Sequence, residues 1–104
     1  MLRQYLSDNG WYINAETVLR DGRFLYTVME VIWQPKQPKL TVGQRYFSPA
    51  LLKCTAKELP EYYNQLLFRL RRAIKGKGEL ADPDMIAALT ELEKDSCFTH
   101  LKEE

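Results

Sequence analysis

Few side chains in this sequence could do covalent chemistry. Cys54, Cys97 and the single histidine, His100, carry its only thiol and imidazole groups. A Cys54–His100 pair would join a thiolate nucleophile to its base. The competing reading is a half-buried thiol at a strand end and a solvated imidazole; it needs no such coincidence and is the one expected. One histidine and no closely spaced cysteine pair leave no readable zinc site. Glu16 and Glu30 fall on opposite faces of a proposed hairpin, so they form no carboxylate pair for acid–base work. No GxxxxGK[ST], GxGxxG or GxSxG pattern occurs. Gly76-Lys77-Gly78 reads as a linker rather than a phosphate cradle. The expectation is a protein with no catalytic residue, no metal and no cofactor, hence not an enzyme.

Binding chemistry is better represented, over residues 55–77. On a helical wheel of about 100° per residue with Leu59 at zero, Tyr63, Leu66, Leu67, Leu70 and Ile74 form one apolar stripe, with Tyr62 and Ala73 at its edge. Phe68 falls about 180° from Leu59, and Asn64, Arg71, Arg72 and Lys75 surround it. An aromatic ring among guanidinium groups, facing away from the core, is not what packing requires. It suits a contact surface for an acidic protein or a stacking platform for nucleic acid. The plainer reading has Phe68 covered by the C-terminal segment and the arginines solvated. Lys36, Lys39 and Arg45 extend the cationic set.

A central helix must position these groups. Thr55 and Glu58 form a capping box, whereas Pro60 is best tolerated in a first turn, so the start is either Thr55 or a point nearer Leu59. Gly76 and Gly78 end the helix, with Lys75 and Lys77 at the negative end of its dipole. Upstream, residues 1–7 read as a short amphipathic helix with Leu2, Tyr5 and Leu6 on one side, ended by Asp8-Asn9-Gly10. Residues 11–20 alternate, and Asp21-Gly22 signals a tight hairpin with both turn residues at positive φ. That loop pairs Leu19 with Phe24, Thr17 with Tyr26, Ala15 with Val28 and Trp11 with Ile32, which is the expected core face. The second strand, residues 23–33, is also apolar on its other face, through Leu25, Met29, Val31 and Trp33, with Tyr12 and Val18 alongside. Either a terminal helix covers that face, or Met29, Val31, Trp33 and Tyr12 make a second interface, with a homodimer as one use of it.

Residues 34–39 are an extended polar connection stiffened by Pro35 and Pro38. Residues 40–47 resume alternation as a third strand, with a bulge at Gly43. Ser48-Pro49 breaks it, and residues 50–54 read as a fourth short strand in preference to a helical turn. Asp82-Pro83-Asp84 opens a C-terminal helix with Met85, Ile86, Leu89 and Leu92 as its stripe. The tail from about residue 96 is expected to fray unless Phe98 and Leu101 anchor it.

Composition bounds the class. With 104 residues, 45% hydrophobic and 28% charged, the chain is ordinary for a globular protein, and this length buries about 65% of the unfolded surface, enough for one core. No apolar run approaches the roughly 20 residues of a membrane span. Residues 1–10 show no signal-peptide pattern, and two cysteines make no disulfide framework. The expected location is cytoplasmic, without membrane contact. The net charge of +1 hides an uneven distribution. Residues 1–35 carry three Arg against four acids, a net of −1; residues 36–77 carry ten Lys/Arg against two acids, a net of +8; residues 78–104 carry two Lys against eight acids, a net of −6.

The expected fold is a single α+β domain over residues 1–104. A three- or four-stranded antiparallel meander packs against the central amphipathic helix, with a short N-terminal helix and a C-terminal helix. The expected function is a non-enzymatic protein-interaction module, a small adaptor, regulator or inhibitor. It would use Phe68, Asn64, Arg71, Arg72 and Lys75, with Lys36, Lys39 and Arg45, against an acidic or mixed protein surface. The alternative is a nucleic-acid-binding protein that contacts phosphates and bases through the basic face of helix 56–77. Overall neutrality and the acidic C-terminal segment favour the first reading.

Overall fold

A computed structural model of the chain describes residues 2–101, with Thr99 described by its backbone alone. In order, the elements are α1 (Leu2–Asp8), β1 (Trp11–Asp21), β2 (Phe24–Trp33), α2 (Pro49–Leu52), α3 (Leu59–Lys77), a 3-10 turn (Gly78–Leu80), α4 (Pro83–Lys94) and α5 (Ser96–Thr99). β1 and β2 pair antiparallel as a two-stranded sheet. The α+β class therefore holds, but the expected third and fourth strands are absent from the described residues.

Residues 40–47 fail as a strand for a local reason. Thr41 N–H donates to Gln44 Oε1 at 3.0 Å, and Gln44 N–H donates to Thr41 Oγ1 at 3.2 Å. The Arg45 N–H then reaches the Thr41 carbonyl, and those of Tyr46 and Phe47 both reach the Gly43 carbonyl. Groups that a strand would offer to a neighbour are engaged within successive turns. Ser48-Pro49, read as a strand break, is a helix start instead: Ser48 Oγ accepts from the Leu51 N–H at 3.0 Å, and Pro49 takes the first position of α2.

The hairpin turn sits at Gly22-Arg23, one residue later than Asp21-Gly22, because Asp21 pairs with Phe24. Gly22 has φ +61°, and no non-glycine residue among those described has positive φ. That sign pattern belongs to a type II′ turn, which needs glycine only at its first central position. The register moves accordingly: Leu19 faces Tyr26, Thr17 faces Val28 and Ala15 faces Glu30. A bulge between Ile13 and Ala15 reverses the phase of the first residues of β1. Tyr12 thereby joins the side of Leu19 and Phe24, and Ile13 the side of Val18.

The buried face is the opposite of the one expected. Leu19, Phe24, Tyr26 and Val28 are each more than half exposed. Ile13, Glu16 and Val18 are buried on the other side, where Leu25, Met29 and Val31 are half-buried. Of the four residues proposed as a second interface, Met29 and Val31 turn toward the helices, Trp33 stays exposed at the strand end, and Tyr12 lies on the opposite face. β2 is apolar on both sides, so alternation alone could not choose between them. Glu16 decides. Its carboxylate accepts from Arg3 Nη2 at 2.5 Å, Arg3 Nε at 3.2 Å and Ser48 Oγ at 2.6 Å. Burial opposes the Arg3 charge, but the hydrogen bond and charge of Glu16 outweigh it, so the guanidinium is raised above its ordinary value. Because Arg3 turns to the sheet, Leu2 and Tyr5 on α1 are exposed rather than packed. Met1, placed in this helix from the sequence, lies outside the described residues.

The stripe on α3 is realised. Leu59, Tyr63, Leu66, Leu67 and Leu70 are buried, and they close on Val18, Phe47, Leu51, Leu92, Phe98 and Leu101. Phe47 is edge-on to Tyr63 and Phe98, with centroids 6.0 and 5.7 Å apart. The Tyr63 hydroxyl donates to the Leu92 carbonyl and so joins α3 to α4. α3 starts at Leu59 with no side-chain cap from Glu58, so the later of the two starts is the real one, and Gly76 lies within the helix. α4 opens as read, with Asp82 Oδ1 accepting from the Asp84 N–H at 2.9 Å. Phe98 and Leu101, the two residues able to anchor the tail, are both buried.

Candidate functional site

The helical spacing of α3 sends Phe68 outward at 58% exposure, away from the buried stripe. The Arg72 guanidinium carbon lies 5.8 Å from the centre of its ring. Such a contact contributes about 0.5–1 kcal/mol at an exposed site, which favours but does not fix this arrangement of the two side chains. Arg69, Arg72 and Lys75 are exposed, and among the described residues none of them makes an ion pair. Their charges face solvent.

The other candidates on α3 are engaged. Arg71 Nη2 lies 2.6 Å from Glu93 Oε2 on α4. Asn64 Nδ2 donates to the Pro60 carbonyl at 2.8 Å and to the Leu101 carbonyl at 3.5 Å, so it anchors the C-terminal segment. The free surface is therefore Phe68, Arg72 and Lys75 together with Arg69. The wheel missed Arg69 because it lies about 100° from Phe68, at the edge of the apolar stripe.

The remaining cations belong to the 34–48 connection. Lys36 and Lys39 are exposed. Arg45 Nη1 is 3.4 Å from Asp84 Oδ2, a long contact. Lys39 and Arg45 line one polar depression with Gln4 and Asp8. The predicted cations thus fall into two groups, one on α3 and one on the connection.

Cys54 is half-buried against the core, His100 is exposed, and both cysteines are free. A hydrogen bond to Asp95, reinforced by the carboxylate charge, pushes the Cys97 thiol up, which disfavours the reactive thiolate. Among the described residues no group of three or more His, Cys, Asp or Glu could hold a metal, and no helix is long and apolar enough to cross a membrane. A separate pocket of about 230 Å³ lies where α1 ends and β1 begins, under the 37–49 connection. No sequence pattern marks it, because its walls come from separated segments.

Residues 1–95 match the profile of the TrmK family, tRNA (adenine(22)-N(1))-methyltransferase. The chain belongs to this family. Over 68 residues it is 40% identical to a Mycoplasma pneumoniae protein named "Putative tRNA methyltransferase", a stretch that covers 64% of this chain and 32% of that protein. The chain thus spans about a third of the length of the curated relative it matches. No solved structure matches it.

Membership of TrmK overturns the expectation of a non-enzymatic adaptor, regulator or inhibitor, and with it the expectation that the protein is not an enzyme. That expectation rested on the lack of a paired nucleophile, metal ligands and a phosphate loop in the sequence. In methylation of a base nitrogen the nucleophile is the substrate's own ring atom, so none of those signals is required. The reaction does require a methyl donor. Among the described residues the sheet is an antiparallel hairpin, and no glycine-rich turn leads from a strand into a helix of the kind that holds nucleotide cofactors. The described residues thus lack the strand-to-helix turn that would hold such a donor.

Proposed function

We propose that this chain is the tRNA-holding part of a TrmK-type adenine N1-methyltransferase, and that the outer face of α3 lies on the RNA. The observation that carries the reading is the exposed Arg72–Phe68 stack, flanked by Arg69 and Lys75, none of whose charges is neutralised within the described residues. Arg69, Arg72 and Lys75 take phosphates, and Phe68 offers a stacking surface to an unpaired base. The acidic C-terminal segment meets two of the cations, through Glu93 on Arg71 and Asp84 on Arg45. It leaves the outer face of α3 uncovered. A chain of net charge +1 can hold a polyanion in this way, because the local field governs the contact rather than the total. The nucleic-acid reading of the basic helix face thereby replaces the protein partner, and a cytoplasmic location goes with a tRNA substrate. We place binding of the methyl donor in the two-thirds of the relative's length that this chain does not match.

Fluorescence anisotropy with labelled tRNA, at low and moderate salt, tests the reading. Replacing Arg72 and Lys75 together by Glu should weaken binding by about tenfold or more and lower the salt slope by about 2. Thermal unfolding should stay unchanged, since both side chains are exposed. An unaltered affinity and slope in the double variant would rule the face out.

A further inference from the structure

The pocket at the head of the hairpin has the chemistry of a nucleobase slot. Its volume of about 230 Å³ gives room for one fused ring system rather than a whole cofactor. Trp11 and Tyr12 line it together with Leu40. Trp11 is held edge-on against Trp33, with centroids 5.3 Å apart, so its orientation is set before any ligand arrives.

Two amides in the lining are only half used. Gln37 Nε2 donates to the carbonyls of Trp11 and Gln34, both at 3.1 Å, and its Oε1 has no partner among the described residues. Gln44 Oε1 accepts from the Thr41 N–H at 3.0 Å, and its amino group has no partner there. The orientation of each amide follows from these partners: two carbonyls require the amino end of Gln37, and an N–H requires the oxygen of Gln44. The lining residues therefore include one amide acceptor and one amide donor without a partner among the described residues. Adenine carries the complement, an N6 amino donor next to the N7 acceptor, whereas guanine presents two acceptors at the same edge. Lys39 lines the same pocket, is exposed, and makes no ion pair among the described residues. It suits the phosphate of the same nucleotide.

We infer that this pocket binds one unstacked adenine nucleotide of the RNA, with the base against Trp11 and the Gln37 and Gln44 amides and its phosphate on Lys39. The inference rests on the proposed tRNA-holding role but uses a surface other than α3. The test is a titration of the full 104-residue chain, labelled with ¹⁵N, using AMP, GMP and ribose 5-phosphate up to about 10 mM, where millimolar affinities register. AMP should give saturable shifts at the Trp11 indole N–H and the Gln37 and Gln44 side-chain amides, with GMP and ribose 5-phosphate about tenfold weaker. Lys39→Ala should weaken AMP by up to about fivefold and leave adenosine unaffected. Absence of shifts at those groups overturns the inference, and so does an equal response to GMP or ribose 5-phosphate. The Arg72→Glu/Lys75→Glu variant separates the two surfaces. Shifts at Trp11 alongside unchanged tRNA affinity in that variant would sink the α3 reading alone; a silent pocket alongside α3-dependent tRNA binding would sink this one alone.

Discussion

Glu16 is 4% exposed, with a carboxylate enclosed by Arg3 and Ser48. Taking both charges of such a pair out of water costs about as much as their attraction returns, so the pair adds little net stability over an apolar substitute. Removing one partner is different, because the other charge is then stranded. Arg3→Met should lower stability by about 3–5 kcal/mol, and Arg3→Met with Glu16→Leu should recover most of the loss. Urea unfolding of the two variants decides it; a single variant that unfolds at the parent's midpoint would show that Arg3 compensates nothing. No local pattern could have revealed this arrangement, since Glu16 lies 13 residues from Arg3 and 32 from Ser48. Read by itself, an acid in an alternating segment belongs outside. Phe68 was legible for the converse reason: its direction depends only on helical spacing from Leu59, within one element.

At the scale of elements, α3 and α4 could be read because their signals are periodic and local: a leucine stripe in one, and the Asp82-Pro83-Asp84 start in the other. The strands proposed after residue 39 failed because a short alternating run is indistinguishable from a turn whose polar side chains bond its own backbone, as Thr41 and Gln44 do. The hairpin was legible as a hairpin but not in its turn type, since Asp21-Gly22 and Gly22-Arg23 both place a glycine in a two-residue loop. Gly22, at φ +61°, has open space around the position of a Cβ, so any cost of a side chain there comes from the backbone alone. Gly22→Ala should destabilise the chain by about 1–2 kcal/mol, measured as a shift in thermal midpoint. A shift no larger than experimental scatter would mean that the turn does not depend on glycine.

For the molecule as a whole, the sheet has one covered side and one bare side. Leu19, Phe24, Tyr26 and Val28 stand together on the bare side, across a sheet of two strands. A contiguous apolar surface of this kind favours association. The chain on its own should therefore self-associate as its concentration rises, through this side and not through Met29 and Val31. Val28→Lys should hold it monomeric in sedimentation without loss of stability, because Val28 is 52% exposed; association that persists in the variant would move the contact elsewhere. The enzyme family was not legible at this scale, because the residues that announce a methyl donor site do not occur in this stretch. The family match stops at residue 95, yet Phe98 and Leu101 beyond it lie in the interior, with Phe98 against Phe47. A version trimmed to residue 95 would therefore open Phe47 to water on the side that Phe98 now closes.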